Sequence, residues 1–265
     1  MNIPHDYHMH STFSEDGSSS VEEMCNQAIT LGIPEIGFSE HWDVGPYEEH
    51  PRFFQPEPWE TELGRLRDLF RGQLVIRLGL EVAEPHLYPL ETAEVLVRVP
   101  FDYALGSVHF VGANFMFDEK FFRLHTADEV YPAYFSEVEK MLETADLDIL
   151  AHLDVPVRTA KPIFGYDPIR YEEQILRILR KVIDRNLALD VNAAGLRKPS
   201  QNLMPDPQIL KWYAEMGGKR VTLGSDAHQA DQVGLHLQTA LETLRAVGLT
   251  HVTRFSGRKG QLIPF

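Results

Sequence analysis

Apolar, β-branched runs alternate along this chain with amphipathic stretches, and their periods separate two kinds of element. Runs with strand character fall near residues 5–10, 35–40, 74–81, 101–108, 147–152, 187–192 and 220–225, with a further short one near 251–255. Between them the apolar positions recur at helical spacing. Ser20-Val21-Glu22-Glu23 reads as a capping box that opens a helix ending near Gly32. Residues 127–145 form a long amphipathic stretch. Within 171–186, Ile175, Ile178, Leu179 and Val182 share one helical face. The stretches 206–217 and 231–248 repeat the theme. Strands alternating with helices predict βαβ units on a parallel sheet. Seven such units without a linker predict one α/β domain over residues 1–265, a barrel rather than an open sheet. The Pro- and Gly-bearing stretches 45–58 and 156–168 read as long strand-to-helix loops. In a βα barrel such loops overhang the active-site mouth.

Composition adds constraints. A chain of 265 residues can bury one large core. No apolar run approaches the ~20 residues that span a bilayer, and Met1-Asn2-Ile3-Pro4-His5-Asp6 lacks the basic and apolar regions of a signal peptide. The expectation is a cytoplasmic protein with no membrane partner. Cys25 is the single cysteine, which excludes an internal disulfide and a cysteine-rich zinc site. The net charge of −14 disfavours nucleic acid and anionic membranes as partners. An anionic substrate would need a local source of positive charge, and bound metal ions supply one. Neither a phosphate-cradling G-x-x-x-x-G-K-[ST] loop nor a G-x-S-x-G elbow occurs.

The chemistry concentrates at strand ends. In Asp6-Tyr7-His8-Met9-His10, residues two apart share a face, so His8 and His10 converge with Asp6 beside them. Paired imidazoles at this spacing suit a divalent metal. An isolated H-x-H is equally often a strand with incidental histidines, so the other strand ends decide the matter. His41, Glu81, His109, His152, Asn192, Asp226 and His228 each end or closely follow a predicted strand. In a parallel barrel those ends meet at one face. Six of the twelve histidines belong to this set; His5, His50, His86, His125, His236 and His251 read as surface or packing residues. A polar mouth that binds an organic ligand without metal is the competing interpretation. Against it, Asp16, Glu81 and Asp226 crowded together would repel one another unless cations intervened. Arg197 follows a predicted strand and could grip a phosphate with its fork, and Arg158 follows His152. Phe110 and Phe164 could meet a small ring, although packing is the commoner role for such residues.

The motifs D-Y-H-M-H at 6–10, F-S-E-H at 38–41, G-L-E at 79–81, F-D-Y-A-L-G-S-V-H at 101–109, A-H-L-D at 151–154, L-D-V-N-A-A-G-L-R-K-P at 189–199 and L-G-S-D-A-H at 223–228 run in order across nearly the whole chain. In them the chain resembles the PHP (polymerase and histidinol phosphatase) superfamily, and within it the monofunctional histidinol-phosphate phosphatases. The resemblance implies a distorted (β/α)7 barrel with three divalent metals (zinc, iron or manganese). It places the first on His8, His10, Glu81 and Asp226. Glu81 would bridge to a second held by His109 and His152, and Asp16, His41 and His228 would hold the third. The S-E-D-G loop offers Glu15 or Asp16 where many relatives have a histidine, and a carboxylate shifts preference toward manganese or iron. Glu40, where the wider superfamily more often has aspartate, is expected to orient the neighbouring imidazole. Glu81, Asp226 and His228 are expected to act in catalysis, and Arg197 and Arg158 in substrate binding. The implied reaction is hydrolysis of a small phosphomonoester, L-histidinol phosphate, by metal-activated hydroxide.

Three other readings compete. A PHP phosphoesterase for another ester or a nucleic acid shares the ligands, but the acidic surface disfavours a nucleic acid. An amidohydrolase also uses H-x-H but commonly needs a lysine carbamate, and no lysine stands at the strand ends. A metal-storing domain without activity should lack a ligand, and every position holds one. Oligomeric state is not encoded in any of these features.

Overall fold

The computed structural model describes residues 3–265, so Met1 and Asn2, part of the expected domain span and of the stretch read for a leader, lie outside it. The strands are β1 Glu35–Trp42, β2 Val75–Ala83, β3 Tyr103–Ser107, β4 Phe110–Val111, β5 Asn114–Phe115, β6 Ile149–Leu150, β7 Ala188–Asn192, β8 Val221–Gly224, β9 His251–Ser256 and β10 Lys259–Pro264. Six form a parallel sheet in the order β1-β2-β3-β6-β7-β8. The predicted first strand is an extended segment between its two edges. On one side Asp6 N donates to Glu35 O (3.2 Å) and Ser39 N to Met9 O (2.9 Å); on the other Tyr7 N donates to Leu223 O (2.8 Å) and Asp226 N to His8 O (2.7 Å). These bonds close the sheet into a seven-membered barrel, distorted because the first member makes only isolated bridges and β6 pairs over two residues.

The capping box at Ser20 is present, and Gly32 ends the helix Val21–Leu31 at φ 70°, a left-handed turn that glycine adopts without a Cβ penalty. Helices Ala127–Thr144, Glu172–Asp184 and Pro207–Glu215 fall inside the predicted stretches. The 231–248 stretch forms a helix only over Leu237–Ala246. Before it, Gly234 and His236 take positive φ and Gly234 N is held by Asp6 Oδ2 at 2.9 Å, so a barrel contact replaces the first helical turns. Four helices were not expected: Pro56–Leu69, Pro89–Arg98, Glu119–Arg123 and Val157–Phe164, the last inside the predicted 156–168 loop. The first two open on proline, whose fixed φ and missing N–H suit a helix start.

Inside the barrel the Tyr103 ring lies against glycines of two neighbouring strands, Gly37 and Gly79, where any Cβ would collide with it. The antiparallel hairpin β9–β10 covers the N-terminal ends of the strands. Phe255 joins the buried cluster of Tyr7, Tyr103 and Leu105. Arg254 Nε reaches Glu35 at 2.7 Å, and Gly257 N donates to Asp102 at 3.0 Å. With that end plugged, the C-terminal ends form the open mouth.

Candidate metal centre

The register of β1 on β2 sets His41 beside Glu81, and their side chains meet: His41 Nδ1 lies 3.2 Å from Glu81 Oε2. The same oxygen lies 3.2 Å from His8 Nε2 and 3.5 Å from His10 Nε2. The other oxygen, Oε1, faces His152 Nε2 at 2.9 Å and His109 Nε2 at 3.4 Å. One buried carboxylate therefore faces five imidazoles drawn from four strand ends, His8 and His10 sharing the first. Around it, Asp226 Oδ1 lies 3.6 Å from His10 Nε2 and 3.5 Å from His228 Nδ1. Asp16 bridges the outer pair, 3.6 Å from His41 Nε2 and 2.9 Å from His228 Nε2. Glu15 turns instead to His50, at 3.2 Å. His5 points away from the mouth, where it stacks on Tyr7 at 4.0 Å and accepts Leu223 N.

The donor set fits divalent cations. Ligand atoms gather in four overlapping inner groups: His8, His10 and Asp226; His8, Glu81 and His152; His10, His41 and His228; and His41, Asp43 and His109. His10 Nε2, His41 Nδ1 and Asp43 Oδ1 are buried without a hydrogen-bond partner. Such atoms are costly unless something coordinates them. Burial tends to raise the Glu81 carboxyl, but the His8 and His41 imidazoles offset it and hold the group well below the usual carboxylate range. Burial, with His41 and His228 nearby, pushes the His10 imidazole well down, favouring the neutral form that ligates metal.

Supporting residues fix this shell. Asp190 Oδ2 sits 2.8 Å from His8 Nδ1, and Asn192 Nδ2 donates to both Asp190 and Asp226 at 3.3 Å. Gly224 leaves the space in which His8 and Asp190 meet, since a Cβ there would strike both. Asp190→Ala is expected to weaken metal binding by about 10- to 100-fold, the usual cost of losing such a partner; a metal titration reads this directly. Glu84 accepts the backbone N–H groups of His109 and Phe110 and so sets the end of β3.

Two expectations need correction. Strand alternation turns Glu40 away from the His41 ring. Its carboxylate accepts Ser11 Oγ and Ser14 Oγ at 2.6 Å and Trp59 Nε1 at 3.2 Å. It reaches an imidazole only through Ser14, whose Oγ is 3.4 Å from His10 Nδ1. Arg197 does not present its fork to the mouth either. Its terminal nitrogens donate to the carbonyls of Ser225 (2.7 Å) and Asp226 (2.9 Å), which fixes the backbone carrying the Asp226 carboxylate. Asp226 stands there at φ 54°, a conformation held by these bonds. Arg158 lines the cavity, with its guanidinium 4.2 Å over the Phe117 ring and 3.6 Å from Asp226 Oδ2. Phe110 lines the cavity as well, whereas Phe164 packs on Tyr131 and Phe122. Asp43, Asp190 and Glu84 were not singled out in the sequence.

The mouth holds a cavity of about 530 Å³, a size suited to a small organic molecule. Glu81, Asp226 and His228 all line it, and no lysine is among its lining residues. No helix among the described residues is long and apolar enough to cross a membrane.

Known proteins share this architecture. A probable histidinol-phosphatase of Deinococcus radiodurans is 32% identical over 97% of this chain and 98% of its own. The histidinol-phosphatase of Lactococcus lactis is 28% identical over 96% of this chain and 95% of its own. The crystal structure of histidinol phosphate phosphatase from Lactococcus lactis, complexed with zinc, L-histidinol and phosphate, superposes with a TM-score of 0.88 at 25% identity, covering 98% of this chain and all of the other. The PHP domain matches residues 6–194, which span β1 to β7 and most of the imidazoles gathered at the mouth. By both its length of match and the ligand geometry at its strand ends, the chain belongs to the PHP domain family.

Proposed function

We propose that the protein is a metal-dependent phosphomonoesterase that hydrolyses L-histidinol phosphate to L-histidinol and phosphate. The observation that carries this reading is the end-to-end likeness to a chain whose crystal holds zinc, L-histidinol and phosphate, combined with a Glu81-centred set of buried imidazoles and carboxylates here. Three divalent ions (zinc, iron or manganese) would take His8, His10, Glu81 and Asp226; then Glu81, His109 and His152; then Asp16, His41 and His228. Asp43, between His41 and His109, adds a donor that the sequence reading lacked. Bound cations would supply positive charge for the phosphoryl oxygens and lower the pKa of a water toward ~7.

The chain's own groups do the rest. Glu81 and Asp226 stay deprotonated, so each can ligate at neutral pH. Arg158, the cationic side chain of the cavity lining, binds and orients the phosphate. Arg197 acts indirectly, by fixing the backbone at Ser225 and Asp226. Arg158→Ala is expected to raise KM roughly tenfold with metal content intact, the loss of about one charged hydrogen bond at ~1.4 kcal/mol. Arg197→Ala should instead lower metal occupancy. Steady-state kinetics with metal analysis on both variants distinguishes the two roles.

The experiment that tests the assignment is phosphate release from a panel of esters, with and without a chelator. The panel includes L-histidinol phosphate, nucleoside monophosphates, sugar phosphates and single-stranded DNA. Chelator-sensitive turnover that prefers L-histidinol phosphate is expected. Preference for another ester would keep the metal site and overturn the substrate.

A further inference from the structure

The cavity is bipolar. At one end stand Arg158, Asp226 and His228, with Lys198 close enough to Arg158 and Arg197 for their charges to act on one another. At the other end the segment after β1 brings in Tyr47, Glu48 and Glu49, and the β4–β5 hairpin brings in Phe110 and Phe115. The rings run without a break: Tyr47 to Phe110 at 6.1 Å, Phe110 to Phe115 at 5.0 Å, and Phe115 to Phe117 at 5.0 Å. Phe117 in turn lies beneath Arg158. An aromatic wall therefore leads from the phosphate end to the acidic end.

The acids at that end differ in what occupies them. Asp43 lies between two imidazoles, 3.9 Å from His41 Nδ1 and 4.0 Å from His109 Nδ1. Glu15 pairs with His50. Glu49 is exposed. Glu48 is half-buried, and its carboxylate is absent from the ion pairs and side-chain hydrogen bonds among the described residues. Burial and the like charges of Asp43 and Glu84 push its carboxyl up against the opposing His109 and His41 imidazoles, so an incoming cation would relieve this corner.

Resting on the proposed reaction, we infer that Glu48 binds the ammonium group of the substrate and that the Tyr47–Phe110–Phe115 wall receives its imidazole. A carboxylate facing an ammonium makes a charge-assisted hydrogen bond, and a flat cationic or neutral heteroaromatic ring is held by an aromatic face. The phosphate then falls under Arg158, so the bipolar cavity fixes which way round the molecule enters. Selectivity against plain phosphate esters follows, because an ester without an amine leaves Glu48 desolvated and unpaired.

The test compares wild type and Glu48→Gln in the metal-loaded enzyme. The ratio of kcat/KM for L-histidinol phosphate to kcat/KM for p-nitrophenyl phosphate is measured, together with inhibition by the product L-histidinol and by inorganic phosphate. A roughly 10- to 100-fold fall in the ratio is expected, as for a charged hydrogen bond. The inhibition constant of L-histidinol should rise while that of phosphate does not follow it. Glu48→Asp should recover part of the ratio. Residual turnover of p-nitrophenyl phosphate confirms that the variant is folded. An unchanged ratio, or equal losses on both esters, overturns the inference while leaving the reaction standing. A wild type with no preference for L-histidinol phosphate overturns the reaction itself, and the assignment of Glu48 with it.

Discussion

Glu81→Gln is expected to lower kcat/KM roughly 10³-fold, about 4 kcal/mol of transition-state stabilisation, and to strip metal from the protein. The two carboxylate oxygens face five imidazoles between 2.9 and 3.5 Å away, where Asp16, Asp43 and Asp226 meet two each. The amide keeps the shape of the side chain. It loses the charge and turns an N–H₂ donor toward atoms that need an acceptor or a cation. The fold should survive, because Glu81 is embedded among imidazoles that can stay neutral once the charge is gone. Metal analysis, circular dichroism and kinetics on one preparation check this outcome. Near-normal activity with full metal content would remove Glu81 from the centre of the site.

The second large effect follows stripping of the metals. Chelation should abolish turnover and lower the melting temperature, and divalent metal should restore both. Ions that bind only the folded chain stabilise it by on the order of 4 kcal/mol when free metal stands about a thousandfold above its Kd. The ligands come from the segment before β1 through the segment after β8, so bound cations tie together both edges of the barrel. Calorimetry of apo and reconstituted protein measures this. A melting temperature that ignores metal would show that the strand ends are held by the fold alone.

That these side chains would gather was legible in the sequence because a parallel barrel collects strand ends at one face. Once β-type and helical periods are separated, the residues at those ends are neighbours whatever the details of packing. The role of Glu81 was less visible. Its contacts depend on the register that sets His41 beside it and on side-chain reach, and neither is written in spacing. Asp43 and Asp190 had a usable signal. Asp43 lies two residues after His41, and Asp190 two before Asn192, so strand alternation puts each on the face of a residue already chosen. Glu84 had none, because it follows the strand at φ 45° and acts through backbone N–H groups. Arg197 misled for a related reason. Its loop position pointed to substrate, while the carbonyls of Ser225 and Asp226 that it reaches are brought to it only by folding. The closing hairpin was half seen. Its turn, Gly257-Arg258, takes positive φ at both residues, which suits a tight β-turn, yet the pair lacks the Asn-Gly or Asp-Gly signature.

The most direct test of the Glu81-centred site is anomalous X-ray scattering from crystals of metal-loaded protein. The expected result is a cluster of ions about Glu81, reached by His8, His10, His41, His109, His152, Asp226 and His228. Fully active crystals with no anomalous peak beside Glu81 would contradict it.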